Sequence, residues 1–240
     1  MKMKKIISSV LSATIVTTCL ATINFANVSA TTTFDENNIV SRFGVLSDVH
    51  QTGEANGRDE QRLRTAIKRL YKESDNKLDG ISISGDLTDY KIKEGLQQFK
   101  KVMDEELKGD TKLTFTLGNH DIDAIKFDGK NLANEILGDK YYSYDEPDSM
   151  VSYGNRHTVM GNYHFLSVYT NDFWNENGPS FRTETKTWLD NQLKKITQEN
   201  PNQYVFVSAH MVIQDTVYGS EAEIYDKYWS TKDLTPILKK

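Results

Sequence analysis

Four short apolar runs in this chain each stop on side chains able to hold a cation or move a proton. Phe43–Ser47 leads into Asp48-Val49-His50, Gly80–Ser84 into Gly85-Asp86-Leu87-Thr88-Asp89, Leu113–Leu117 into Gly118-Asn119-His120-Asp121, and Tyr204–Ala209 into His210. Short runs rich in Ile, Val, Phe and Thr read as strands, and Tyr163–Tyr169 reads as a fifth. Helical patterns lie between them. Leu63, Ala66, Ile67, Leu70 and Tyr71 recur at helical spacing, as do Ile92, Leu96, Phe99, Met103 and Leu107. Thr183 to Glu199 carries Trp188, Leu189, Leu193 and Ile196 on one side, with Thr183 as its expected N-cap and Asn200-Pro201 as its stop. This alternation predicts an α/β domain. In open α/β sheets ligands bind beyond the carboxyl ends of the strands, so four separate loops can supply one site.

The residue types in each loop suit that position. On extended chain, the i, i+2 spacing of Asp48 and His50 puts a carboxylate and an imidazole on the same side, within reach of one cation. Gly85 permits a tight turn, Asp86 comes straight off its strand, and Asp89 lies one turn on where the chain begins to coil. Two carboxylates so close want a cation or a proton between them. Asn119 offers a neutral amide oxygen to a metal shell and leaves His120 to handle protons or a negative oxygen. Each group alone has an ordinary explanation, since a strand-end Asp commonly caps the next helix and Gly-Asn is a turn signal. Repetition after four strands is what points to chemistry. His157 and His164 flank Gly161-Asn162 in an expected hairpin and read as structural or surface residues, within a stretch from Asp145 to Asn162 that is otherwise polar and irregular.

The start of the chain reads as a secretory signal peptide. Met1-Lys2-Met3-Lys4-Lys5, an uncharged stretch from Ile6 to Ala21 and Val28-Ser29-Ala30 supply its basic, apolar and small-residue regions. Cleavage is expected after Ala30, leaving 31–41 as a short lead-in and 42–240 as one domain, extracellular and without stable membrane association. The only cysteine, Cys19, falls in the leader, so any metal site in the mature domain must use oxygen and imidazole. Three Lys leave with the leader. The remainder carries 26 basic against 34 acidic residues, a net charge of -8, which disfavours nucleic acid as a partner.

Asp-x-His, Gly-Asp-x-x-Asp, Gly-Asn-His-Asp and a later strand-end His, in that order, make this chain resemble the calcineurin-like metallophosphoesterases, including their phosphodiesterase branch, from about Arg42 to the C-terminus. The resemblance implies a four-layer αββα sandwich of two mixed β-sheets flanked by helices. It implies two metal ions, Mn, Fe or Zn, one held by Asp48 and His50 and the other by Asn119 and His210, with Asp86 bridging both. His120, oriented by Asp89, would stand at the phosphoryl oxygen. The implied activity is hydrolysis of a small phosphoester, a diester in preference to a monoester, by a metal-activated water. One departure is marked: the family's Gly-His-x-His element, which adds an imidazole to each metal, has no counterpart after His210. Ser230 to Lys240 reads instead as a capped helix with Pro236 in its first turn. The domain is therefore expected to be C-terminally incomplete. A non-catalytic domain binding a metal or a phosphorylated ligand at the same strand ends is the alternative, and a nuclease is a third reading that the acidic charge opposes.

Overall fold

In a computed structural model of the protein, the described residues are 36–124, 132–141, 154–170, 179–218, 220 and 230–239. The expected signal peptide, residues 1–30, lies outside them, as do residues 145–153 of the polar stretch that starts at Asp145. A 3-10 turn, Glu36–Asn38, belongs to a unit ending at Ile39, and all other described elements belong to the unit that starts at Val40.

Three parallel strands, β1 (Phe43–Leu46), β2 (Gly80–Ser84) and β3 (Lys112–Thr116), form the first sheet in that order, with Phe43 opposite Gly80 and Gly80 opposite Lys112. Parallel neighbours need long crossovers, supplied here by helices α1 (Arg58–Glu73) and α2 (Ile92–Glu106). The apolar stripes expected on both helices are where they meet the sheet: Leu63, Ile67, Tyr71, Leu96, Phe99 and Met103 share one buried core with Ile81, Ile83 and Phe115. Each fully buried Ile, Leu or Phe there contributes roughly 1.5–3 kcal/mol. A further helix, α3 (Leu132–Tyr141), adds Ala133, Leu137 and Tyr141 to the same core and is broken by Gly138 at φ 61.

The second sheet is mixed. Strands β4 (Arg156–Met160) and β5 (Tyr163–Val168) form the expected hairpin, with Gly161 at φ 55 in its turn, and β5 pairs in parallel with β6 (Val205–Ala209). Helix α4 (Thr183–Glu199) makes the crossover and buries Leu189 and Ile196 against Leu166 and Val168. Its cap position is Arg182 rather than Thr183, because the extended backbone that marks an N-cap falls one residue earlier; no side chain caps the helix there. His157 Nε2 and His164 Nδ1 lie 2.8 Å apart on the hairpin, as a hydrogen-bonded pair.

Residues 230–239 are not one helix. Ser230–Thr231 forms strand β8, paired in parallel with β7 (Val212–Ile213), and helix α5 is the single turn Thr235–Leu238 with Pro236 near its start. Asp233, two residues before that turn, accepts from the Phe181 N–H at 3.0 Å. The two larger sheets meet through small polar side chains. Ser84 and Ser208 hydroxyls are 3.0 Å apart, Thr114 and Ser167 are 3.1 Å apart, and Thr116 Oγ1 donates to the Val168 carbonyl at 2.7 Å. Among the described residues β1 pairs with β2 alone, and Val45 on it is 61% exposed.

Candidate metal centre

Pairing between β1 and β2 continues past the strands themselves. Asp48 N–H donates to Gly85 O at 3.1 Å, His50 N–H to Asp86 O at 3.0 Å, Gln51 N–H to Leu87 O at 2.9 Å, and Asp89 N–H back to Gln51 O at 3.2 Å. Asp48 and His50 do not sit on extended chain as the spacing suggested. They take φ 55 and 41, and Asp86 takes φ 50, all in the left-handed region that costs an L-residue about 1–2 kcal/mol. The zipped loops hold these conformations, and strain retained in this way is characteristic of functional sites. Nor does the chain coil after Asp86. Thr88 stays extended in a parallel bridge to Gln51, and Asp89 reaches His120 from that extended stretch.

Glycine is required at two of the loop positions. A Cβ on Gly118 would fall 2.0 Å from Asp86 Oδ1, and one on Gly85, at φ 86, would fall 2.5 Å from His210 Nδ1. Both absences let acidic and imidazole groups from different strands close on one another.

All five expected ligands and both expected proton-handling residues meet at these strand ends. Asp86, only 3% exposed, turns Oδ2 toward His50 Nε2 at 3.6 Å and Oδ1 toward His210 Nε2 at 3.5 Å. Asp48 Oδ1 lies 3.8 Å from the same His50 nitrogen, and the Ser47 hydroxyl donates to the other Asp48 oxygen. His210 Nδ1 faces Ser84 O at 2.8 Å and so carries a hydrogen, and Nε2 lies 3.0 Å from Asn119 Oδ1 and 3.5 Å from Asp86 Oδ1; in the neutral imidazole that Nε2 is the electron-pair donor. Electron-pair donors converging in this manner fit cations. Ligand bonds of about 2.1 Å separate neighbouring donor atoms by roughly 3.0–3.4 Å, a little less than the spacings between Asp86 and its two imidazoles. The ligand atoms of His50, Asp86 and His120 fall within 4.8 Å of one another, as do those of Asp48, Asp86 and His210, so Asp86 is common to both groups. His120 stands edge-on to His50, ring centroids 4.8 Å apart, with Nδ1 3.1 Å from Asp89 Oδ1. A cavity of about 260 Å³, lined in part by Asp48, His50, Asp59 and Arg62, opens beside the cluster.

Asp121, the last residue of the Gly118-Asn119-His120-Asp121 motif, ties the loops together. Fully buried, it accepts from Leu87 N–H (2.9 Å) and Gly118 N–H (2.9 Å) through Oδ2, and from Thr88 N–H (2.8 Å) and the Thr88 hydroxyl (2.6 Å) through Oδ1. Burial pushes its carboxyl above the ordinary value against the pull of those donors. The result is a staple joining the loops that carry Asp86 and Asn119.

A family model described as calcineurin-like phosphoesterase matches residues 41–236. The chain belongs to that family. Calcineurin-like phosphoesterases are hydrolases of phosphoester bonds, and the strand-end cluster supplies candidate His and Asp ligands for the dinuclear metal centre that they typically use. Among solved structures, a purple acid phosphatase isolated from yellow lupin (Lupinus luteus) seeds is similar in fold, with a TM-score of 0.52 and 17% sequence identity over 83% of this chain and 36% of that one. The chain thus spans little more than a third of the lupin enzyme's length. No curated protein matches it. Among the described residues no helix is long and apolar enough to cross a membrane.

Proposed function

We propose that this chain is a secreted, metal-dependent phosphoesterase that takes a small diester in preference to a monoester and works with two cations, Mn, Fe or Zn. The observation that carries the reading is Asp86, a buried carboxylate with His50 on one oxygen and His210 on the other. In this reading Asp48 and His50 would hold one cation and Asn119 and His210 the second, with Asp86 shared by both. Bound there, such a pair supplies positive charge for the phosphoryl oxygens and an activated water. His120 keeps Nδ1 on Asp89 and so offers Nε2 to the leaving oxygen, either as a hydrogen-bond donor to the developing charge or as the proton source. Preference for a diester rests on the resemblance of the sequence motifs to the phosphodiesterase branch of the family.

Two finer points belong to the same reading. A four-layer order of helices, sheet, sheet and helices is supported by α1 and α2 sharing a core with the first sheet, α4 sharing one with the second, and the Ser/Thr contacts between the sheets. Cleavage after Ala30 rests on the leader's composition and is checked by N-terminal sequencing of the protein recovered from culture medium.

Hydrolysis of bis(p-nitrophenyl) phosphate and of p-nitrophenyl phosphate in the presence of Mn tests the function. The diester should turn over faster, and His120→Ala should lose about 10²–10⁴-fold in kcat while retaining its metal. Metal binding without turnover of either ester would replace this reading by that of a binding domain.

A further inference from the structure

Tyr90 follows directly on Asp89 and is 87% exposed, with its ring centroid 5.5 Å from that of His120. Three rings therefore run in series from the cluster to solvent: His50, His120 and Tyr90. The backbone presenting Tyr90 is held on both sides. Thr88 and Asp89 are tied to Gln51, and α2 begins at Ile92. An aromatic face left in water beside a site is favourable to cover with a second flat ring, and base-like or aryl groups stack on tyrosine in this way. In the proposed function His120 serves the leaving oxygen, and Tyr90 is the exposed ring next to His120.

We propose that Tyr90 is a specificity-determining residue that stacks a flat aromatic or heteroaromatic leaving group, so that the site favours aryl and nucleoside phosphoesters over alkyl ones. The inference rests on the phosphoester reading of the cluster.

Calorimetric titration of the Mn-loaded protein with phenylphosphonate and methylphosphonate separates the two claims, because neither ligand is hydrolysed. Phenylphosphonate should bind about tenfold more tightly than methylphosphonate. Tyr90→Ala should bring that ratio to about one by weakening phenylphosphonate alone, and Tyr90→Phe should preserve it. If both ligands bind alike to the wild type, or Tyr90→Ala weakens both by the same factor, the stacking role is overturned and the phosphoester site stands. If neither binds, the site reading fails and this inference fails with it.

Discussion

At the level of single residues, the site is held in a conformation its side chains would not choose. Asp48, His50 and Asp86 all sit at positive φ, and Asp48 is joined in the cluster by a second carboxylate, that of Asp86. Both features oppose folding in the absence of cations. Asp48 separates these costs from packing because its side chain is half exposed. Asp48→Gly removes the left-handed penalty and one negative charge, and the metal-free protein should melt roughly 2 °C higher, in EDTA, while its metal affinity falls. Asp48→Ala should lose the same affinity with no gain from the backbone. A lower melting temperature for the glycine variant would show that position 48 carries no such strain.

Among the elements, two buried carboxylates hold the loops that carry the ligands. Asp121 staples the loop after β2 to the loop after β3, and Asp121→Asn would turn an amide N–H toward backbone N–H donors. That variant should lose about 3 kcal/mol of stability, read by chemical denaturation, and should bind metal more weakly than the wild type. Glu60 on α1 anchors the loop after β1. It accepts from Asn56 N–H, Gln98 Nε2 and Arg64, while Gln98 Oε1 accepts from Gly53 N–H. Burial pushes the Glu60 carboxyl up, but these donors and Lys101 outweigh it and hold it at about 2. A carboxyl lowered in the folded state stabilises above its ordinary value of 4.5, and that contribution is lost as pH falls toward 2. Melting temperatures should therefore drop over that window in the wild type, and Glu60→Gln should start lower at pH 7 and drop less.

The same elements mark what could be read in the sequence. Strands β1, β2, β3 and β6 were legible because apolar runs stopped on polar groups, and those groups proved to share one site. The left-handed turns were not, since Asp-x-His looks the same on extended and on kinked chain. Asp121 was legible as part of a motif but not as a staple, because its partners Leu87 and Thr88 lie 34 and 33 residues away. Helix α3 did carry a signal, Ala133, Leu137 and Tyr141 at i, i+4 and i+8, interrupted by the glycine that breaks it. Strands β7 and β8, at two residues each, are too short to leave a period.

For the molecule as a whole, the centre depends on two sheets keeping register. The first sheet brings Asp48, His50, Asp86, Asn119 and His120 on the ends of three parallel strands, and the second brings His210 alone. Ser84 joins them, its hydroxyl to Ser208 and its carbonyl to His210 Nδ1. A dinuclear centre therefore reports directly on whether the fold and the cluster have been read correctly. Metal content per chain, by elemental analysis after loading with Mn, Fe or Zn and removal of excess, should be about two for the wild type and near zero for Asp86→Ala. A wild type holding one metal or none, or an Asp86→Ala variant that keeps both, would contradict a centre bridged by Asp86.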